Sequence, residues 1–366
     1  MTLICSRREF AKLTLAGLSP LGLMAGPSSA GLQVLQGAPN SVFSGVPIGA
    51  IAPYSFGPEA TTAEAILEAL VKVGLSQAEI GNAPVEAFAG APAPAAPGGR
   101  GQATPAVRGG AAPAGAPAAA TSSGNAAGTP APVQGAGARA NRPPLTPEQQ
   151  AAQQAAAEAL GKWRASAPFE KLAALRKMYN DAGVTIAAYR LTLTQAMADA
   201  EYDYTFRAAR TLGASAVTME LPSDPALSKR IGDFAAKHQL MVGYHLHTTA
   251  TMTAWDEALS QSPYNGIQLD IGHYVAGTSE SPIPFLRKHH ARIASLHLKD
   301  RKKGTNTGVN MPWGEGDTPI LEVLKLMKSE GWRFPAFIEL EYPVPAGSTR
   351  VAEVARCLAY AKAALV

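Results

Sequence analysis

Short apolar runs of strand length alternate along most of this 366-residue chain with longer stretches whose apolar residues recur at helical spacing. The β-like runs are Val46–Ser55, Gln77–Gly81, Val184–Leu191, Ala216–Leu221, Leu240–His247, Gly266–Ile271, Ile293–Leu298 and Ala336–Glu341. Helical patterns follow them at Thr62–Gly74, from Thr146 to about Ala182, and at Tyr202–Leu212, Ala226–His238, Thr253–Leu259, Pro284–His290, Ile320–Glu330 and Val351–Ala364. Eight strands each followed by a helix predict a parallel sheet, and eight is the number that closes a barrel. The expected fold is therefore α/β, a (β/α)8 TIM barrel over residues 46–366 as a single domain. No glycine-rich loop follows the first strand, which removes the main support for a dinucleotide-binding open sheet.

Two segments break the pattern. Residues 1–30 run from a charged stretch, Ser6–Leu13, through an apolar run, Leu13–Gly26, to small residues ending at Ala30, the order of a secretory leader. Its SRREF core resembles the twin-arginine export signal, which implies a periplasmic or secreted enzyme exported already folded. Residues 87–145 are nearly all Ala, Pro and Gly, a composition that buries too little apolar surface to offset ordering, and are expected to be a disordered insert within the barrel. The insert stops at Thr146-Pro147-Glu148-Gln149, which reads as a helix cap with Gln149 completing a capping box.

These segments also explain the charge. Arg7, Arg8 and Lys12 against Glu9 put +2 in the leader, and Arg100, Arg108, Arg139 and Arg142 put +4 in the insert, so a whole-chain charge of +4 leaves about −2 for the remainder. That argues against a general grip on nucleic acid. The two cysteines, Cys5 and Cys357, leave one thiol after leader removal and so no internal disulfide. Beyond the leader no apolar run is long enough for a membrane anchor, and association into a homo-oligomer is compatible with the sequence.

Barrel active sites lie at the carboxyl ends of the strands. Here five successive strands end in ionisable groups: VTME at Glu220, YHLH at His245 and His247, LDIGH at Asp270 and His273, LHLKD at His297 and Lys299, and IELE at Glu339 and Glu341. Alternation puts His245 with His247, His297 with Lys299, and Glu339 with Glu341 on shared faces. Imidazole with several carboxylates is a donor set for a divalent ion such as Mn²⁺, Co²⁺, Zn²⁺, Fe²⁺ or Mg²⁺. Taken singly each is an ordinary strand-end residue; five in succession are hard to account for as apolar core.

LDIGH at Leu269–His273, SLHLKD at Ser295–Asp300, WGEGD at Trp313–Asp317 and FIELE at Phe337–Glu341 together resemble the sugar phosphate isomerase/epimerase family with the xylose isomerase-like barrel. That family also contains inosose dehydratases, 3-dehydroshikimate dehydratases and the endonuclease four type of repair enzymes. The resemblance implies metal binding by Asp270, His297 and Glu339, with His273 and Lys299 facing substrate; Trp313 and Glu341, in the shared motifs, join His273 as expected substrate contacts. It departs at YHLH, where the isomerases and epimerases place a metal-binding glutamate. The fourth ligand is then open among Glu220, His245 and His247, and the proton carriers among those three and Lys299.

The expected chemistry is enolisation: a cation chelated by a hydroxy-ketone acidifies the adjacent C–H and a nearby base takes the proton. Returning it elsewhere isomerises or epimerises a sugar or keto-sugar; losing a β-leaving group makes the enzyme a lyase or dehydratase, or one that cleaves keto-glycosides. A metal-dependent phosphodiesterase is disfavoured by the charge of the barrel, and a non-catalytic carbohydrate-binding protein by the retained ionisable groups.

Overall fold

In the computed structural model, residues 38–93, 145–304 and 309–366 are described; the expected leader and most of the low-complexity stretch lie outside them. Eight parallel strands close on themselves: β1 (Val46–Ala52), β2 (Gln77–Gly81), β3 (Thr185–Arg190), β4 (Ala216–Glu220), β5 (Met241–His245), β6 (Asn265–Asp270), β7 (Ile293–Leu298) and β8 (Ala336–Ile338). Each pairs with its successor, and β8 returns to β1 through Ala336 opposite Ile48, Phe337 opposite Gly49 and Ile338 opposite Ala50. The ring is a (β/α)8 barrel, as the alternation predicts.

The helices are α1 (Ala63–Val73), α2 (Asn82–Ala89), α3 (Pro147–Ala165), α4 (Phe169–Asp181), α5 (Asp199–Leu212), α6 (Pro225–His238), α7 (Asp256–Gln261), α8 (Ile271–Thr278), α9 (Ile283–His289), α10 (Ile320–Glu330) and α11 (Arg350–Leu365). α3 starts on the expected reciprocal cap: the Gln149 backbone N–H donates to Thr146 Oγ1 at 3.2 Å and the Thr146 backbone N–H to Gln149 Oε1 at 3.0 Å. No helix among the described residues is long and apolar enough to cross a membrane.

Three local differences from the pattern have physical reasons. The helix expected from Thr146 to Ala182 is two, broken before Phe169 where Pro168 stands, because a residue preceding proline is pushed out of helical geometry. α2 runs through Ala89, into the start of the low-complexity stretch, and α8 begins directly at the end of β6; both span eight residues, too short for a helical period to emerge. β5 and β8 stop at His245 and Ile338, so His247, Glu339 and Glu341 leave the ladder just beyond the strands rather than extending them.

The core explains how polar groups come to lie inside. Ala78 and Ile80, Val217 and Met219, Ile267 and Leu269, and Leu296 and Leu298 all belong to one buried cluster shared with the helices. Strand side chains alternate faces, so the residues between them, Glu79, Thr218, Gln268 and His297, point the other way, into the barrel. Ile51, Ala187, Ala188 and Phe337 form a separate small apolar cluster there.

Candidate active site

At the carboxyl end of the ring His245, Asp270 and His297 each bring one donor atom to within 4.8 Å of the others. All three are buried. Asp270 is the last residue of β6 and also caps α8, its Oδ1 accepting the His273 backbone N–H at 2.7 Å. Its free oxygen, Oδ2, thereby faces the lumen. Gly272 of the LDIGH motif has a packing reason: a Cβ there would lie 2.4 Å from Lys299 Cγ and 2.7 Å from the Lys299 carbonyl oxygen, so only glycine lets α8 approach β7.

Lys299 is almost fully buried and gathers the carboxylates. Its Nζ stands 3.1 Å from Asp270 Oδ2, 3.1 Å from Glu339 Oε1 and 2.6 Å from Glu341 Oε2, and 3.0 Å from His273 Nε2. Burial alone would lower the Lys299 pKa, but the three carboxylates outweigh it and hold the ammonium charged well above its usual range. Burial raises Asp270 to about 7, partly offset by Lys299. Glu339 is held well below the usual carboxylate range because Lys299 and His297 overcome the cost of burying it. Burial opposes protonation of His297, but Glu79 and Glu339 on its two sides lift it to about 9. His245 is pushed well below the ordinary imidazole value by burial, with His297 adding to it, and stays neutral.

The sequence-derived residues fall at different depths. His297 and Glu339 meet, Nδ1 to Oε2, at 3.0 Å. His247 is exposed, with 46% of its side chain accessible, yet its ring centre is 5.0 Å from that of His245 and 4.6 Å from that of His273. Glu220 is 42% accessible and accepts from Arg190 at 2.7 Å, with His247 Nε2 3.9 Å away; neither it nor Glu339 belongs to the two groups of three able to share an ion, His245–Asp270–His297 and His245–His247–His273, but Glu339 is buried beside the first of them. His273 also meets Arg301, and Glu341 accepts from the Tyr54 hydroxyl. Trp313 stands edge-on to Tyr360, ring centres 5.9 Å apart. Its loop is clasped by Asp300, whose carboxylate accepts the backbone N–H of Gly314, Gly316 and Thr318 at 2.8, 2.9 and 3.1 Å. A Cβ on Gly316 would lie 2.0 Å from Asp300 Oδ1, which ties the WGEGD and LHLKD motifs into one device.

Sequence reasoning missed Glu79, Arg190, Gln268 and Arg301. Glu79, fully buried, accepts from Thr218, Gln268 and His297. An acid between Ala78 and Ile80, on the inward register of an apolar strand, was the available signal; Arg190, closing β3, was the other.

His245 Nδ1, Asp270 Oδ2, His297 Nδ1 and Glu339 Oε2 are buried without a hydrogen-bond partner. Asp270 Oδ2 does have Lys299 at ion-pair distance, and Glu339 Oε2 has His297, but neither pair has hydrogen-bond geometry. Orphaned buried polar atoms cost about 1–3 kcal/mol each, and here they are mixed nitrogen and oxygen donors drawn from β5 to the residue after β8. That donor set fits a divalent cation.

A closed eight-stranded parallel barrel with its ionisable side chains gathered at the carboxyl ends defines the class of this protein. Residues 159–361 match the model of the xylose isomerase-like TIM barrel, and the chain belongs to that family. A curated relative, an inosose dehydratase of Clostridium botulinum, is 29% identical over 126 residues, 28% of this chain and 42% of the relative, so the match spans less than half of that protein's length. Among solved structures, a xylose isomerase domain protein of Alicyclobacillus acidocaldarius shares 14% identity over 87% of this chain and 99% of its own, with a TM-score of 0.52. A D-psicose 3-epimerase of Clostridium cellulolyticum, solved with D-tagatose, shares 10% over 87% and 99%, with a TM-score of 0.51. At those identities the likeness is one of fold.

Proposed function

We propose that this barrel is a divalent-metal enzyme that removes a proton next to the carbonyl of a sugar or keto-sugar. The observation that carries the reading is the convergence of buried donors on His245, Asp270 and His297 at the carboxyl end of the barrel, with Glu339 Oε2 3.0 Å from His297 Nδ1, each residue having a buried atom outside any hydrogen bond. These four residues would hold the ion, with Glu220 left outside because its carboxylate is engaged by Arg190. A bound divalent cation supplies Lewis-acid stabilisation of negative charge developing on substrate oxygen.

The protein's own groups supply the rest. Lys299, anchored by carboxylates on three sides, presents a fixed ammonium to the same developing charge, which costs no reorganisation during reaction. His247 is the proton carrier: it is accessible, it adjoins the buried cluster through His245, and the Glu220 carboxylate lies 3.9 Å from its Nε2. His273, Glu341 and Trp313 would contact substrate. The leader at residues 1–30 would deliver the enzyme to a compartment of free or oxidised sugars and glycosides.

Incubating the metal-loaded protein in D₂O with a panel of sugars and keto-sugars tests the reading. Deuterium entering a C–H next to a carbonyl is expected; a metal-loaded protein that exchanges none of them overturns it. A second outcome of the same deprotonation, loss of a β-hydroxyl as water, is favoured by the inosose dehydratase match and by YHLH at Tyr244–His247 where an epimerase would place glutamate. An unsaturated product absorbing in the ultraviolet identifies that lyase outcome, and a rearranged sugar of unchanged mass the isomerase or epimerase.

A further inference from the structure

We propose that Glu79, in the middle of β2, is a positioning residue for the metal site: its carboxylate fixes the His297 imidazole with its proton on Nε2, so that the Nδ1 lone pair is presented to the cation. The proposal rests on the metal-site reading above and adds to it a residue from the opposite wall of the barrel.

The Glu79 carboxylate reaches across the lumen and is held from three strands. Oε1 accepts from Thr218 Oγ1 at 2.7 Å, and Oε2 accepts from Gln268 Nε2 at 2.9 Å and pairs with His297 Nε2 at 2.8 Å. Gln268 is itself braced, its Nε2 also donating to Ser295 Oγ at 3.0 Å. An ionised carboxylate can only accept, so the imidazole nitrogen facing it must be the one that carries hydrogen. Geometry alone makes Glu79 Oε2 an acceptor, because the Gln268 Nε2 that meets it carries only hydrogens, while Oε1 takes the Thr218 hydroxyl and has the Arg190 guanidinium 3.9 Å away.

The consequence appears on the other side of the ring. With one hydrogen fixed on Nε2 by Glu79, the nitrogen that His297 can free for a cation, by giving up its second proton, is Nδ1, which faces Glu339 Oε2 at 3.0 Å. Neither atom has a hydrogen-bond partner, and His245 Nδ1 and Asp270 Oδ2 share that condition nearby. A carboxylate oxygen facing that nitrogen calls for positive charge between or beside them, a ring proton in the free protein or a cation in its place. A His–Glu pair that only satisfied buried polarity would leave no such nitrogen on its far side. Carboxylates behind metal-ligating imidazoles set tautomer and ring orientation in this way, and their loss weakens metal binding by about 10- to 100-fold.

The test uses the full chain loaded with Zn²⁺, which is diamagnetic. A long-range ¹H–¹⁵N correlation spectrum, assigned by the signal missing in His297→Gln, is expected to show the His297 proton on Nε2. Glu79→Gln fills the same space but can turn either its oxygen or its NH₂ toward His297; it is expected to weaken Zn²⁺ binding by about 10- to 100-fold in competition with a chromophoric chelator. Its far-ultraviolet circular dichroism should match the wild type. A wild-type spectrum with the proton on Nδ1, or a folded Glu79→Gln variant binding Zn²⁺ within about twofold of wild type, overturns the role of Glu79 while leaving the metal site standing. A wild-type chain that takes up no Zn²⁺, Mn²⁺ or Co²⁺ overturns the metal-site reading itself, and this proposal with it. The wild-type spectrum decides the matter even if the variant does not fold.

Discussion

The barrel buries two ionic clusters, and they are built on opposite principles. Outside the lumen, Arg164 donates from Nε and NH2 to both oxygens of Glu86, at 2.8 and 3.2 Å, and from NH1 to Glu201 at 3.1 Å. The remaining valences close locally: Asn82 donates to Glu86 Oε2 at 2.6 Å and the Ala198 backbone N–H to Glu201 Oε2 at 3.2 Å. None of these side chains has a buried atom without a hydrogen-bond partner, whereas inside the ring His245, Gln268, Asp270, His297 and Glu339 each have one. A guanidinium meeting a carboxylate in a fork is self-sufficient. Imidazoles and carboxylates that meet without hydrogen-bond geometry leave donor atoms over, and such a set is complete only with something added. Burial and charge alone therefore do not separate a structural cluster from a working one; the separation lies in whether the donors and acceptors balance.

The sharpest way to break this comparison is Asp270→Asn, which removes a charge from the unbalanced cluster. Metal content should fall to background by mass spectrometry and turnover by at least the roughly 10²-fold that follows loss of a single electrostatic partner in catalysis. Full metal content in that variant would mean the cluster is another closed one. Arg164→Met should do the reverse, destabilising by about 3–5 kcal/mol in urea unfolding, because it leaves Glu86 buried and unpaired, while metal bound per folded molecule stays at the wild-type level. A loss of metal out of proportion to folding would show the two clusters to be coupled.

Smaller effects sharpen the division within the ring. His245→Gln should lose metal, since its Nδ1 is one of the orphaned donors, whereas His247→Gln should keep its metal and lose about 10²-fold in rate, the lower range for a missing proton carrier. Exchange of these two outcomes would swap the roles of the neighbouring imidazoles. Glu220→Gln is expected to have the least effect, full metal content with a modestly lower rate, measured as kcat at saturating substrate, because Glu220 acts only through His247 and already shares its charge with Arg190.

The sequence made the barrel legible because each strand is short, apolar and bounded, and the edges of β2 and β7 fall where the pattern puts them. The site was legible wherever its residues sit at strand ends, since an ionisable group there has no core role to explain it. Glu79 was hidden because it lies mid-strand, and a single acid in QAEIG reads as the polar face of a half-exposed strand until closure turns that face inward. The unequal fates of His245 and His247 were also hidden. Alternation puts both on one face, but β5 ends at His245, and past that point the period of two no longer governs where a side chain goes.

The seam between β1 and β8 sets a timetable. It joins strands from opposite ends of the fold through three residue pairs, and contacts so distant along the chain form late because the closure entropy must be met first. The Glu79–His297 bond, 218 residues apart in sequence, spans the same ring. A folding intermediate still open at the seam would hold Asp270, His297 and Glu339 on or just after the adjoining strands β6, β7 and β8 but would not have Glu79 braced behind the imidazole. Tight metal uptake during refolding should therefore lag behind the recovery of helical signal and coincide with the slowest kinetic phase, making the ion a clock for ring closure.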